Sequence, residues 1–390
     1  MSKQKKNILF AVPSINNGGV EVGILEIAKQ NNIYKGFNMF VLTSGGSMTI
    51  RLESLGVKVI NLDIKSKSIF KVISNIWKIK KILIDNKIDL VSAESRVPAW
   101  SCYFACKKAN VKFATTVHGA YNNKMGIFSW LKRFYNSSMV RGNNIVCVSQ
   151  YIKNYVTQNF PKFINKQNKN IAVIYRGIDL NIFSPEKVSQ SRLLILQNNL
   201  NLPEDKIIIA LPARFTKIKG HFYFLKVLQQ LKKTRDDFCC VMVGDMKKHP
   251  EFIEKLQKEI SHEGLDGFVK IHDNINDMPA LYTLSNIIVS TTTTSESFGR
   301  ISVEAQAMGK IFIGTALGGT LETVKDRISG FLAPANNVEK FALILNNVMN
   351  LPQYRKDEII VRAKENGKWY SLENMYKQTL DFYQKIISEK

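Results

Sequence analysis

The feature that most constrains this chain is an alternation that runs through it twice. Short apolar runs at 8–12, 39–42, 57–62, 88–91, 113–117, 144–148 and 171–174 are mostly separated by longer stretches with helical periodicity, such as 19–30 and 69–84. Strand-length runs divided by amphipathic helices are the signature of βαβ units and a parallel sheet. A second series follows at 207–213, 238–243, 268–271, 287–290 and 310–314. The join, Arg176-Gly177-Ile178-Asp179 through Phe183-Ser184-Pro185, has the Gly, Asp and Pro of a connector. The expectation is an α/β chain of two doubly wound domains with one hinge. Ligands of such sheets lie beyond the carboxyl ends of the strands, so the cleft between the domains is the expected site.

Composition removes several other classes. With 390 residues, 45% hydrophobic and 22% charged, the chain can bury a large core and is not a disordered or fibrous sequence. Cys102, Cys106, Cys147, Cys239 and Cys240 have neither disulfide-scaffold density nor metal-ligand spacing, and packing is their expected role. No apolar run reaches the ~18 residues of a membrane span. Lys3, Lys5 and Lys6 before an apolar run imitate a signal peptide. That run stops at Pro13, and it reads better as a buried first strand of a cytoplasmic protein.

The net charge of +23 is unevenly placed. Residues 1–182 hold 27 Lys and Arg against 8 Asp and Glu, whereas 183–390 hold 28 against 24. A basic half suggests an anionic partner, a membrane surface or a nucleic acid. Lysine-rich compositional drift is the alternative, though drift would raise both halves alike.

Neither a Gly-x-Gly-x-x-Gly after the first strand nor a Walker A loop is present, so phosphate recognition needs another device. Two stretches offer one. The run at 207–211 leads into Pro212-Ala213-Arg214 and on to Lys219-Gly220 before an amphipathic segment. This sets two cations at a strand's carboxyl end, either as a diphosphate site or as a solvated basic loop. The second stretch is Glu296-Ser297-Phe298-Gly299-Arg300 with Glu304. The amides of Ser297, Phe298 and Gly299 are expected to open a helix and attract phosphate. Glu304, eight residues after Glu296, is expected on the same side lower down that helix. The alternative is a capping Glu296 and a surface Glu304.

With these motifs in view, the chain resembles the retaining glycosyltransferases of family 4, which have the GT-B fold. The resemblance rests on Gly18-Gly19-Val20-Glu21, His118-Gly119, Gly177-Ile178-Asp179 with Phe183, Arg214 with Lys219-Gly220, and Val243-Gly244-Asp245. It continues through Glu296 with Glu304, Gly318-Gly319 with Glu322-Thr323-Val324, and Ser329-Gly330-Phe331-Leu332. The stretch around Glu296 and Glu304 is most similar to bacterial lipopolysaccharide and cell-envelope members. The resemblance implies an acceptor-side domain 1–182, a nucleotide-sugar domain 183–368, and a C-terminal helix, 369–390, crossing back to the first. It further implies that Arg214 and Lys219 neutralise the leaving diphosphate and Glu304 accepts the ribose hydroxyls. Glu296 and His118 would face the transferred sugar, Ser297, Phe298 and Gly299 would hold its hydroxyls or the phosphate, and Gly18 and Gly19 would pass close to the diphosphate. No metal or other cofactor is expected, since no Asp-x-Asp pair is present. Ala213, Arg176 and Met246 depart from the family's common residues, the last at a position that bears on donor identity.

The expected partners are a nucleotide sugar, a lipid-linked or glycan acceptor and an anionic membrane surface, with the enzyme peripheral on the inner face of the cytoplasmic membrane. Two segments are candidates for that surface. The first, 65–87, reads as a helix burying its stripe on the sheet. The second, 125–135, with Ile127, Phe128, Trp130, Leu131 and Phe134 beside Lys132 and Arg133, suits a core helix and an interfacial helix equally. A soluble transferase acting on a small sugar or glucan is the alternative. A nucleic-acid binder rests on charge alone, and the chain lacks a base-reading motif.

Overall fold

Strands form here where the sequence is apolar on both faces. The segment Phe238–Val243 is buried at every position, as a strand with helices above and below must be. The computed structural model describes residues 5–16, 18–121, 129–165 and 169–389. Of the residues read above, Lys3, Ile127 and Phe128 lie outside them, with the opening of the 125–135 segment. The chain divides into two units, Met1–Gly177 with Leu372–Lys390, and Ile178–Ser371.

The first unit is built on seven parallel strands: β1 (Asn7–Ala11), β2 (Asn38–Thr43), β3 (Lys58–Asn61), β4 (Leu90–Ala93), β5 (Lys112–Val117), β6 (Asn144–Cys147) and β7 (Asn170–Val173). They lie in the order β3-β2-β1-β4-β5-β6-β7. Leu9, Val91 and Ile145 pack into a core on one face, and Ile8, Phe10 and Val41 into a core on the other. The last helix, Leu372–Ser388, completes the second of these. Leu372, Met375, Tyr376, Tyr383 and Ile386 recur at helical spacing and are buried there. This helix starts three residues later than expected. Trp369 instead closes the helix Gln353–Trp369, whose Gly367 backbone abuts Ala307 of the second unit. The first boundary also moves, to 177/178 from 182/183. The Ile178 amide donates to the Tyr370 carbonyl, and the Phe183 ring lies 6.0 Å from that of Tyr282.

The second unit has six parallel strands: β8 (Ile207–Pro212), β9 (Phe238–Val243), β10 (Val269–His272), β11 (Ile287–Ser290), β12 (Ile311–Thr315) and β13 (Phe331–Ala333). Their order is β10-β9-β8-β11-β12-β13. β13 was not expected, and at three residues it is too short to show a period. Both sheets reverse their order once, between β1 and β4 and between β8 and β11. At such a switch point the loops diverge to opposite faces and leave a crevice.

The helix Ile69–Asp85 departs from expectation. Asn75, Ile79 and Leu83 are buried, whereas Ile69, Ile73 and Trp77, also four apart, form a second stripe that is exposed. Among the described residues no helix is long and apolar enough to cross a membrane.

Candidate functional site

In the second unit the loops that leave the switch strands carry the expected residues. After β8 the chain passes exposed Arg214, makes a short turn over Lys217–Lys219, and starts the helix His221–Lys232. Gly220 sits at φ +73°, with its Cα facing the Thr291 carbonyl where a Cβ would collide. Thr291 Oγ1 donates to the Lys219 carbonyl at 3.1 Å, and the Thr293 amide to the Ile218 carbonyl at 2.9 Å. The Lys219 loop is thereby tied to the segment following β11. That segment leads to Glu296, whose carboxylate pairs with the Lys219 ammonium, both largely buried.

Glu296 is not on the helix, which corrects the expected spacing. The helix runs Arg300–Ala307, and Glu296 precedes it in an isolated bridge to Gly318. The Gly319 amide donates to the Glu296 carbonyl at 2.7 Å. A Cβ on Gly318 would strike that carbonyl, and one on Gly319 would strike the Phe298 backbone. The Gly318-Gly319 pair is therefore the cradle that positions residues 296–298. Phe298 itself is buried with its ring 5.6 Å from Tyr370, so its side chain is packing and only its backbone is available to a ligand. Ser297 is half-buried, and Gly299 caps the helix at φ +89°.

Glu304 is buried, not a surface charge. The Tyr282 hydroxyl donates to its Oε2 at 2.8 Å, and Arg300 Nε to its Oε1 at 2.7 Å. Burial, then the adjacent carboxylate, push the Tyr282 hydroxyl well above its usual range, so it remains a donor. A carboxylate has about four lone-pair sites, so both oxygens keep capacity for further donors.

His221 braces the Lys219 loop from below. Its ring is fully buried, 5.0 Å from Phe215 and 5.7 Å from Phe252. Neither nitrogen makes a well-formed hydrogen bond among the described residues. Burial lowers its pKa to about 4, with the Ala213 and Thr216 carbonyls opposing the fall and the Lys219 charge adding to it. The imidazole is neutral at pH 7.

In the first unit His118 follows β5 directly. Its Nε2 lies 2.7 Å from Glu94 Oε2. A carboxylate only accepts, so Nε2 carries a proton toward Glu94 and Nδ1 is the ring nitrogen left to a ligand. Glu94, buried at the carboxyl end of β4, also accepts from Ser92 Oγ at 2.7 Å and Thr116 Oγ1 at 3.2 Å. Tyr383 of the last helix donates to Ser92 Oγ at 2.9 Å. Gly18 and Gly19 open the helix Gly19–Tyr34 after β1. Their surroundings do not demand glycine: a Cβ at 19 meets open space, and one at 18 only the end of the Glu21 side chain. Arg176, a departure in the sequence, donates to the Gly19 carbonyl at 2.8 Å and pairs with Glu26 at 3.6 Å, fastening the end of the first sheet to that helix.

The structure thus joins Lys219 to Glu296, Glu304 to Tyr282 and Arg300, and His118 to Glu94. Sequence reasoning missed Glu94, Tyr282 and His221. For Glu94 there was a partial signal, an acid three residues beyond the apolar run 88–91 expected to be a strand. Among the described residues, one group, Glu259, His262 and Glu263, brings three metal-ligating atoms within 4.8 Å. It lies at the far end of the helix from β9 to β10, toward the amino ends of the strands.

A sequence model described as "Glycosyl transferases group 1" matches residues 195–367, and one described as "Glycosyltransferase Family 4" matches residues 17–182. The crystal structure of a glycosyltransferase from Rickettsia africae is 33% identical, with a TM-score of 0.89 and 100% of both chains covered. Anabaena HepE, solved in complex with UDP and glucose, is 19% identical over 97% of this chain and 100% of that one, with a TM-score of 0.80. A D-inositol 3-phosphate glycosyltransferase from Nocardioides sp. is 28% identical over 56% of this chain and 49% of its own length. The match spans about half of that relative. These relatives carry the broad resemblance without singling out lipopolysaccharide-type members.

Proposed function

Because this chain belongs to the glycosyltransferases of the group 1 and family 4 type, we propose that it moves a sugar from a nucleoside diphosphate donor to a hydroxyl of a lipid-linked or cell-envelope glycan, with retention at the anomeric carbon. The observation that carries this reading is the Lys219–Glu296 ion pair at the switch point of the second sheet, beside buried Glu304. A donor diphosphate takes over the Lys219 ammonium, joined by Arg214, and the released Glu296 carboxylate accepts sugar hydroxyls. Glu304 accepts the ribose hydroxyls, and His118 Nδ1 accepts from the transferred sugar.

In the step itself the bond from the anomeric carbon to the diphosphate oxygen breaks, and the acceptor oxygen bonds to the same face. The acceptor proton passes to the leaving diphosphate oxygen. Charge grows on that group as the bond breaks, where fixed cations stabilise the transition state most. This chemistry calls for no metal.

The lipid-linked acceptor is supported by the first unit's surface. Phe70 is 86% and Trp77 57% exposed on a helix that also carries Lys71, Lys78, Lys80 and Lys81. Trp130 and Phe134 are 65% and 56% exposed beside Lys132 and Arg133. Aromatic and basic side chains together on one surface suit a membrane interface.

Thermal shift against UDP-, GDP-, ADP- and CMP-sugars tests the donor, with UDP-sugars first because HepE, which shares the fold, was solved with UDP. One class should raise the melting temperature, since a ligand at 100 times its Kd stabilises by about 2.7 kcal/mol. That sugar should then be turned over in EDTA. No shift and no nucleoside diphosphate release with any donor overturns the transferase reading. Turnover that EDTA abolishes and manganese restores overturns its metal-free part.

A further inference from the structure

The first unit has a cavity of about 1150 Å³ at the opposite end of its sheet from Glu94 and His118. Lys112, Asn144 and Asn170, at the amino ends of β5, β6 and β7, form its floor. Six residues of strand, about 20 Å, separate it from the carboxyl ends. The volume is that of a cofactor-sized site.

Its charge is one-sided. Lys107, Lys112, Arg141, Lys169 and Lys385 line it, with Glu389 as the acid among the lining residues. Carbonyls, rings and a hydroxyl contact four of these cations. Lys107 lies 4.9 Å over the Tyr103 ring, and Lys112 donates to the Glu389 carbonyl. Lys169 donates to the carbonyls of Val140 and Gly142. Arg141 is stacked 4.6 Å from Trp100 and 5.2 Å from Phe163, with its Nε on Ser137 Oγ. Helix dipoles explain part of this gathering, because the helices Arg96–Ala109 and Leu372–Ser388 both end here. Each helix end is worth about half a negative charge. Among the described lining residues, five cations against one carboxylate and two such ends leave about three positive charges.

Stacked and hydrogen-bonded cations are also pre-positioned, unlike solvated lysines that lose side-chain freedom on binding. Asn110 and Asn143 add further amide groups, and Tyr103, Phe113 and Phe163 add apolar wall. Fixed cations with amides suit phosphate oxygens, and the rings suit an organic substituent.

We propose that this cavity binds a phosphate ester carrying two or more negative charges, at a site separate from the donor site. Arg141 joins it to the aromatic surface through Trp100 and Phe134. The ester therefore has two possible sources, a lipid headgroup and a free phosphorylated metabolite.

The test follows inorganic pyrophosphate by calorimetry at low salt, using the full chain with Arg214→Ala and Lys219→Ala so that the donor site does not compete. One site should remain, and adding Lys107→Ser with Lys385→Ser, both exposed, should weaken it at least tenfold at unchanged melting temperature. Should the donor-site variant fold poorly, the wild-type background serves, where two sites should fall to one. A second arm sediments the same proteins with phosphatidylcholine vesicles containing phosphatidic acid. Loss of vesicle and pyrophosphate binding together assigns the site to a headgroup; loss of pyrophosphate binding alone assigns it to a free phosphate ester. Pyrophosphate binding that the two lysine substitutions leave intact, or its absence from the start, overturns the proposal.

Discussion

In the proposed site Lys219 must give up Glu296 to take a diphosphate, and this separates its role from that of Arg214. Arg214 is exposed and has no ion pair among the described residues. Arg214→Ala should therefore slow turnover about a hundredfold, or ~3 kcal/mol, as for loss of one preorganised donor, at unchanged stability. Lys219→Ala should slow turnover similarly but also destabilise by about 2 kcal/mol, because it strands the Glu296 carboxylate in a site that is largely buried. Denaturant titration of both proteins checks the difference, and equal stabilities would mean that the pair does not hold the loop. His221 makes a second residue-level prediction. Its folded pKa, about 4, lies below the ordinary 6.5, so between these values the unfolded chain binds the proton first. The stability it secures is complete above pH 6.5 and is lost as pH falls toward 4, by about 3 kcal/mol in all. His221→Phe should flatten the stability profile in that window by this amount. A profile that keeps its slope would assign the acid sensitivity elsewhere.

At the level of elements, the strands were legible because parallel strands buried on both faces are continuous apolar runs. Glu94 and Tyr282 were not, because they act on residues 24 and 22 positions away, His118 and Glu304, and no local period links them. The Glu296–Glu304 spacing misled for a related reason. Spacing predicts a shared face only within one helix, and here Gly299 starts the helix between the two. Folding instead places Glu296 through Gly318, far along the chain. Gly318→Ala should combine a strained φ of +57° with a collision at the Glu296 carbonyl. A cost of ~1–3 kcal/mol and at least a tenfold loss of turnover should follow. Gly19→Ala is the contrast, since a Cβ there meets open space. Its melting temperature should match wild type, so any fall in its turnover reports on a ligand contact and not on the fold. A Gly318→Ala protein with normal turnover would remove the cradle from the mechanism.

Over the whole molecule the charge is concentrated in one part, and most of the exposed aromatics lie there too, Tyr354 and Trp369 being exposed in the other. Residues 1–182 carry an excess of 19 positive charges, and Phe70, Trp77, Trp130 and Phe134 stand exposed among them. Each Lys or Arg near an anionic leaflet contributes ~1 kcal/mol, and the attraction decays over a Debye length of ~8–10 Å. Lysines alone would therefore release the protein as salt rises. Apolar insertion is nearly salt-independent, so the two contributions can be told apart. Burying half of two aromatic rings of ~200 Å² each contributes about 5 kcal/mol at most, and less where the interface stays wet. Phe70→Ser with Trp77→Ser should weaken vesicle binding at least tenfold at every salt concentration. Lys78→Glu with Lys80→Glu should weaken it mainly at low salt, where the leaflet's field reaches them. Both pairs lie on one helix of the first unit, and the proposed nucleotide contacts Arg214, Lys219 and Glu304 belong to the second, so nucleotide affinity should not change in either variant. Wild-type protein that stays in solution with anionic vesicles at low salt would sink the membrane reading, and a soluble glycan would then be the acceptor to test.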